Sequence, residues 1–279
     1  MKKRKHMMPL LSALTVSMLC ANIIAAVSAH SIYPKMDDSH TPAVELSNVF
    51  AKLSVPAVSV SDNLPDSQPE SVSVSNSSGQ FSFVEVSQDY FDDALLIGDS
   101  RVTGIQLYSG WDNITYYAES GMTIYRMFDC KAAKEDGRTL TIEEALQERS
   151  FGKIYLEIGI NEMGTGTVDS FMEAYEDAVN HLRKLQPEAI IYVCGIMYVK
   201  QARSESDPIF NNPNIQARND RISQLADGEH IFYLDINEVM ADETGSLNPD
   251  YTWDEVHLLG KYNILWLEYF CKHGIVKDN

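Results

Sequence analysis

The sequence is poor in cysteine, with four among 279 residues. One of them, Cys20, lies in the N-terminal segment. The other three, Cys130, Cys194 and Cys271, are an odd number and lack the spacing of a zinc site, which excludes a disulfide framework and a cysteine-based metal centre. Cys194 lies in an apolar run that is typical of a core strand, whereas a single bridge between Cys130 and Cys271 stays open.

Positive charge is also scarce, because 22 Lys and Arg face 40 Asp and Glu, which gives a formal net charge of −18. An acidic surface repels phosphate, so we expect neither a nucleic acid nor an anionic lipid surface as partner. The sequence has no visible internal repeat and no long apolar lid segment, and the second absence argues against a true lipase. No metal or organic cofactor is implied.

The first 29 residues have the pattern of a secretory signal peptide. Residues 2–5 are all Lys or Arg, residues 7–26 are almost uncharged and mostly apolar, and residues 27–29 are Val-Ser-Ala, as before a cleavage site. The alternative is an uncleaved N-terminal anchor, since about 20 apolar residues can span a bilayer. We expect a secreted or extracytoplasmic protein that meets a membrane only through this segment, if it is retained.

Residues 30–81 change in character and are rich in Ser, Pro, Val and Asp. Such a composition cannot bury enough apolar surface to offset chain entropy, so we interpret the segment as a flexible tether that could hold the protein at the cell surface. The alternative is a pro-segment or a poorly ordered terminus. Residues 82–279 remain, which is enough for one domain with one core.

Apolar runs alternate with helical patterns in residues 82–279. The runs predict five strands, at 94–98, 114–118, 153–160, 189–196 and 230–236. Helices are predicted at 141–149, 168–185, 211–225 and 258–271, the first with a capping box formed by Thr141 and Glu144. This alternation indicates an α/β fold built from βαβ units, with a parallel sheet covered by helices on both faces.

The first predicted strand, ALLIG, leads directly into Asp99 and Ser100. Turns often contain such residues, so the position alone is not specific. In parallel sheets, however, reactive groups lie beyond the carboxyl ends of the strands. A serine at the start of the following helix would have an outward backbone N–H that stabilises negative charge, which suits a nucleophile.

A serine nucleophile needs a general base and a group that orients it. Of the seven histidines, His257 in the stretch TWDEVHLLG is the best candidate, because Asp254 lies three residues before it. In a tight loop this spacing can bring the carboxylate to one ring nitrogen while the other faces the serine. By itself an acidic loop of this kind is common, so the pair gains weight only with the serine.

Two further strand ends could provide hydrogen-bond donors for an oxyanion. The second predicted strand is followed by Gly121, which offers an unobstructed backbone N–H, and the third by Asn161, which offers a side-chain amide. Each is an ordinary turn residue when considered alone. Together with Ser100 they follow three consecutive strands, at one edge of the predicted sheet.

These blocks, IGDSR, ESG, GINE and DEVH, resemble those of the GDSL-like, or SGNH, hydrolases over residues 95–270. The resemblance implies a three-layer α/β/α sandwich with a five-stranded parallel sheet, of the flavodoxin-like kind. It also implies that Ser100 is the nucleophile and His257 the general base, oriented by Asp254. The implied oxyanion hole consists of the Ser100 and Gly121 N–H groups and the Asn161 side chain.

The sequence departs from the family pattern in two places. The first block lacks the leucine of GDSL, and Glu162 stands where an aspartate is usual. Four residues near the predicted site are candidates for substrate binding: Arg101, Glu162, Met197 and Tyr198. For Arg101 the alternative is an ion pair with Asp99 or Glu162, and for Met197 and Tyr198 it is packing in the core.

The resulting hypothesis is a secreted serine esterase that cleaves small acyl groups, acetyl in the first place, from carbohydrate or a cell-wall polymer. Two alternatives remain open. One is an O-acyltransferase that uses the same site with a sugar hydroxyl as acceptor. The other is a non-catalytic surface binding module, which would not need a base and an orienting carboxylate.

Overall fold

The computed structural model describes residues 81–276. The predicted signal segment, the tether up to residue 80 and the last three residues lie outside this range, so the predictions made for them stay predictions. Within the described range, no helix combines the length and the apolar character that crossing a membrane would require.

A five-stranded parallel sheet forms the centre of the fold. Its strands are β1 (Ala94–Gly98), β2 (Thr115–Ala118), β5 (Lys153–Glu157), β6 (Ile190–Cys194) and β7 (Ile231–Leu234), in the order β2-β1-β5-β6-β7. Two shorter strands, β3 (Ala133–Glu135) and β4 (Arg138–Leu140), pair antiparallel in a separate hairpin. All neighbours in the large sheet are parallel, and Gly98 lies opposite both Ala118 and Glu157. Three strands therefore end side by side at one edge.

Helices cover both faces of this sheet. One face carries α1 (Ser100–Tyr108) and α7 (Ile264–Cys271), and the other carries α2 (Ile142–Glu148), α3 (Val168–Leu185) and α5 (Asn212–Ile222). Two short helices, α4 (Gln201–Ser206) and α6 (Asn237–Met240), lie in the connections after β6 and β7. The three-layer α/β/α architecture is confirmed.

The core consists of two apolar layers, one on each side of the sheet. In β1, Leu95 and Ile97 belong to one layer, whereas Ala94 and Leu96 belong to the other, as the period-two geometry of a strand requires. The whole strand is buried because both faces are covered. This explains why it appears in the sequence as a continuous apolar run.

All five predicted strands form; the first has the predicted bounds, and the other four are shorter than the apolar runs indicate. The helix at 168–185 has the predicted bounds, and the capping box of Thr141 and Glu144 is present. The run at 211–225 ends as a short 3₁₀ turn after α5, and the run at 258–271 becomes helical only from Ile264, after a 3₁₀ turn at Gly260–Tyr262. The β3–β4 hairpin was not predicted.

The three cysteines of the described range are free, so the bridge left open between Cys130 and Cys271 does not form. The architecture explains this. Cys130 belongs to the apolar layer under α2 and α3, whereas Cys271 packs against the layer under α7, so the sheet separates them.

Gly98 ends β1 where there is no room for a side chain. A Cβ atom here would overlap the backbone carbonyl of Glu157 and a methyl group of Val102. We expect Gly98→Ala to reduce the free energy of unfolding by about 2–3 kcal/mol, because overpacking against backbone cannot be relieved by a rotamer change. Urea unfolding would measure this. Adding Val102→Ala should restore only part of the loss, since the carbonyl stays in place, and an unchanged midpoint in Gly98→Ala would contradict the argument.

Candidate active site

Ser100 is the first residue of α1, immediately after the turn that ends β1. The Asp99 carboxylate accepts a hydrogen bond from the Arg101 backbone N–H at 3.0 Å and thereby caps the helix. The first N–H groups of a helix have no acceptor within the helix, so the N–H of Ser100 is directed outward. The serine is half-buried at the carboxyl edge of the sheet.

His257 and Asp254 lie beside this serine. The Oγ of Ser100 is 2.8 Å from Nε2 of His257, and Nδ1 of His257 is 2.7 Å from Oδ2 of Asp254. The other carboxylate oxygen of Asp254 accepts hydrogen bonds from the N–H groups of Val256 and His257, at 3.1 and 2.8 Å. The structure therefore brings together all three residues that the sequence singled out.

The Asp254 carboxylate is held in its charged form. Burial on its own raises the pKa of Asp254, but the hydrogen bonds from the side chain and backbone of His257 outweigh burial, and the pKa lies below its ordinary value. A carboxylate that only accepts requires a proton on Nδ1 of His257. Nε2 of a neutral imidazole is then the acceptor for the Ser100 hydroxyl.

Gly121 also lies at this edge of the sheet. The turn after β2 is joined to β1 by a hydrogen bond from the Glu119 N–H to the Gly98 carbonyl, 3.2 Å long. Gly121 has a φ of 77° and open space where a Cβ would lie. Among the hydrogen bonds found in residues 81–276, none uses its N–H, so this donor is available to a ligand.

Asn161 follows β5 and bridges two neighbouring segments. Its Nδ2 donates to Oδ2 of Asp99 at 3.2 Å and to the carbonyl of Met122 at 3.1 Å. The amide is therefore fixed between the end of β1 and the turn after β2. It can serve an oxyanion only by sharing one of these hydrogen bonds.

Three of the four residues predicted to bind substrate are closed off from solvent: Arg101 is 3% exposed, and Glu162 and Met197 are fully buried. A ligand cannot reach these three side chains from solvent, so their burial does not agree with the prediction that they bind substrate. Met197 packs in the core, which was the alternative prediction for it. Tyr198 is half-buried, and its hydroxyl hydrogen-bonds Gln216.

Arg101 instead belongs to a buried charged cluster that we define as Asp99, Arg101, Glu157 and Glu162. Arg101 Nη1 is 3.9 Å from Oε1 of Glu157, and Nη2 donates to the carbonyl of Val256 at 3.4 Å. Arg101 thus forms an ion pair, as the alternative prediction had it, but the partner is Glu157 and not Asp99 or Glu162. Glu157 was not predicted as a site residue, although a charged residue inside the apolar run KIYLEIGI was a usable signal.

Burial dominates the titration of this cluster. It raises the pKa of Asp99, and the Arg101 guanidinium opposes the rise. It raises the pKa of Glu157 still further, and the charge of Asp99 adds to the effect. For Glu162, burial raises the pKa to about 7, although the hydrogen bond from the Ile124 N–H favours the charged form.

The raised pKa of Glu162 predicts a pH-dependent loss of stability. Its pKa is about 7 in the folded protein against an ordinary 4.5. The contribution of Glu162 to the free energy of unfolding is therefore fully present below pH 4.5 and is lost as pH rises through 7. Glu162→Gln keeps the group neutral and should raise the free energy of unfolding at pH 8 by about 3 kcal/mol. Urea unfolding at pH 4.5 and 8 would test this.

The matched control for this comparison is Glu176→Gln, on the exposed side of α3. The control should not differ from the wild type in a pH-dependent way. A Glu162→Gln protein that is equally destabilised at both pH values would show that the substitution acts through a contact that does not depend on protonation, which would contradict the assignment.

Other surfaces near the sheet do not contain the reacting groups. A cleft of about 660 Å³ runs along the outer edge of β2, where Leu107, Trp111, Tyr116 and Arg149 are among the lining residues, whereas Ser100, Asp254 and His257 are not.

In the part of the chain that the structure describes, no three His, Cys, Asp or Glu side chains are grouped to hold a metal ion.

Comparison with solved structures gives related folds at low sequence identity. A candidate platelet activating factor from Streptococcus pneumonia has a TM-score of 0.52 and 20% identity, over 66% of this chain and 88% of that chain. A GDSL-like lipase from Bacteroides thetaiotaomicron has a TM-score of 0.49 and 17% identity, over 67% and 89%. An acetylxylan esterase from Geobacillus stearothermophilus has a TM-score of 0.43 and 17% identity, over 63% and 91%.

No curated protein matches the chain. The sequence model of the GDSL-like lipase/acylhydrolase family matches residues 96–261, a span that begins in β1 and ends just beyond His257. Because this match covers more than half of the chain and includes every strand of the large sheet in whole or in part, the protein belongs to the GDSL-like lipase/acylhydrolase family and is a serine ester hydrolase.

Proposed function

We propose that the protein is a secreted serine esterase that removes small acyl groups, acetyl in the first place, from a carbohydrate or cell-wall polymer. The observation that supports this best is the unbroken hydrogen-bonded chain from Ser100 through His257 to Asp254, at 2.8 and 2.7 Å. Such a chain lets a base accept the serine proton while a carboxylate stabilises the imidazolium that forms.

In the proposed reaction, Oγ of Ser100 attacks the ester carbonyl and its proton passes to Nε2 of His257. His257 then gives that proton to the leaving alcohol, and an acyl-serine remains. Water attacks the acyl-serine with His257 again as the base, which releases the acid and restores the serine. Asp254 holds His257 in the required tautomer throughout.

The proposed oxyanion hole uses the backbone N–H groups of Ser100 and Gly121, with Asn161 as a third donor. Two of these donors are backbone groups without an acceptor of their own, so they can respond to charge on the tetrahedral intermediate without breaking an existing hydrogen bond. Asn161 would share a hydrogen bond that it now gives to Asp99 or to Met122.

The preference for a small acyl group on a large alcohol is supported by the openness of the site. The side chains of His257 and Asp254 are 31% and 37% exposed, so the reacting groups lie near the surface. A long acyl chain needs an enclosed apolar channel, whereas an acetyl group on a polymer needs an accessible serine. Secretion is proposed from the pattern of residues 1–29, which suits a polymer outside the cell.

The test is release of acetate from O-acetylated xylan by the protein, together with labelling by a fluorophosphonate probe. We expect acetate release, and one probe per chain, located by peptide mapping on Ser100. Acetyl transfer to an added sugar in place of acetate release would favour the acyltransferase. Absence of both acetate release and labelling would contradict the proposal and favour a binding module.

A further inference from the structure

The segment Tyr251–Tyr262, here the His257 loop, carries both Asp254 and His257 and is closed on itself. Thr252 pairs with Leu258 in an isolated antiparallel bridge, and the N–H of Leu259 donates to the carbonyl of Tyr251 at 2.8 Å. The rings of Tyr251 and Tyr262 lie with their centroids 4.4 Å apart. The ends of the loop are thus held together by backbone and by aromatic packing.

Trp253 lies in this loop, next to Asp254, and is 88% exposed. It is the most exposed large apolar side chain of residues 81–276. The other two tryptophans differ, because Trp266 is fully buried and Trp111 packs against Phe91 with ring centroids 5.4 Å apart. An indole left in water forgoes the burial that normally stabilises such a side chain.

The backbone on both sides of Trp253 is held by contacts with the rest of the protein. Thr252 on one side is buried, and Asp254 on the other is fixed by its hydrogen bonds from the N–H groups of Val256 and His257. The carbonyl of Glu255 accepts a hydrogen bond from the N–H of Lys200, at 2.9 Å. The indole is therefore presented to solvent by a loop whose conformation is set by the same contacts that position His257.

The chemistry around this indole suits a sugar ring. The face of an indole is electron-rich and attracts the weakly positive C–H groups on one face of a pyranose. Glu255, two residues after Trp253, can accept hydrogen bonds from sugar hydroxyls, whereas both carboxylate oxygens of Asp254 are engaged within the loop itself. The same carboxylates are unsuited to an acyl chain, which needs an apolar lining, and the net charge of −18 is unsuited to an anionic membrane.

We propose that Trp253 is the platform on which a sugar ring of the substrate stacks, so that Trp253 selects a carbohydrate chain as the alcohol part of the ester. This inference rests on the proposed function, since it names the residue of that site that recognises the carbohydrate. The position is appropriate, because Trp253 is four residues from the base and belongs to the loop that holds the base in place.

Binding is measured first, in the Ser100→Ala protein. The probes are xylohexaose and chitohexaose, neither of which carries an O-acetyl ester. Because the indole of Trp253 is the exposed one, its emission should shift to shorter wavelength, and acrylamide should quench it less, when a sugar covers it. The same titration of Ser100→Ala/Trp253→Phe should lose this signal. No change with either sugar would overturn the inference.

Turnover is measured next, as the ratio of kcat/KM for O-acetylated xylo-oligosaccharides to kcat/KM for ethyl acetate, which has no ring. Trp253→Ala should lower this ratio about tenfold, mainly through KM, and Trp253→Phe should retain most of it, because a phenyl ring still stacks. Leu107→Ala, which removes an exposed apolar side chain from α1, serves as the control and should leave the ratio unchanged.

The two proposals fail in different ways. Ethyl acetate hydrolysis that survives Ser100→Ala would contradict the proposed function, whatever Trp253 does. Hydrolysis that depends on Ser100 together with an unchanged ratio in Trp253→Ala would overturn only the inference about sugar stacking. A change in Trp253 emission with protein concentration alone would assign the indole to an interface between copies, and would also overturn it.

Discussion

Ser100→Ala should lower kcat for ester hydrolysis by several orders of magnitude while the fold stays intact. Removal of the serine hydroxyl leaves no nucleophile for His257 to activate, although its Nε2 lies only 2.8 Å from Oγ. In a well-studied serine protease the corresponding loss is about 10⁶-fold, and the activity that remains comes from the oxyanion hole and from binding. Initial rates with 4-nitrophenyl acetate would measure the effect, with circular dichroism to confirm folding.

The same experiment tests whether the residues act as a unit. His257→Ala should cost about as much as Ser100→Ala, and the double variant should cost no more than either, because each substitution already removes the shared proton transfer. Ser206→Ala, at the exposed end of α4, is the control and should have wild-type activity. Additive losses in the double variant would show that Ser100 and His257 contribute separately.

The sheet could be predicted because its strands are buried on both faces. A run such as Ala94–Gly98 has no polar side chain to face water, as a central strand covered on both faces requires. A helix such as Val168–Leu185 repeats its apolar residues at helical spacing. The β3–β4 hairpin has no such period, since each strand has only three residues. Its turn does carry a signal, because Asp136 and Gly137 both have positive φ and Asp-Gly favours this kind of turn.

Ser100, Asp254 and His257 could be placed because strand ends converge and because the loop spacing of Asp254 and His257 is short. What the sequence could not show is the direction of each side chain at the start of α1. Ser100 and Arg101 are adjacent, yet the first faces the reacting histidine and the second is buried beneath it. A helix position next to an active serine looks exposed in the sequence, and only the tertiary placement of Glu157 explains why the guanidinium points inward.

Arg101→Met should be among the most destabilising single substitutions in the protein. The Arg101 side chain is 1% exposed and is the cation beside the buried carboxylates of Asp99 and Glu157. Methionine retains much of the aliphatic volume but leaves those carboxylates without their counter-charge. Removal of one partner of a buried ion pair costs about 3–5 kcal/mol, so we expect the urea midpoint to fall accordingly.

The matched control for Arg101→Met is Arg138→Met, since Arg138 pairs with Glu148 on the surface and both side chains are about half exposed. Exposed pairs are screened by water and salt, so this substitution should leave the midpoint nearly unchanged. A similar loss in both proteins would mean that the size of the side chain matters more than the buried charge.

The destabilisation by Arg101→Met should itself depend on pH. Burial raises the pKa values of Asp99 and Glu157 while Arg101 opposes the rise, so without the arginine both groups hold their protons to higher pH. Below those pKa values the folded variant carries neutral groups and no unpaired buried charge. The difference in free energy of unfolding from the wild type should therefore be smaller at pH 5 than at pH 8. Adding Glu157→Gln should recover more stability at pH 8 than at pH 5, because a protonated Glu157 has no charge to remove. A constant difference across this range, with no recovery from Glu157→Gln, would mean that Arg101 acts through its hydrogen bond to Val256 and not through the buried carboxylates.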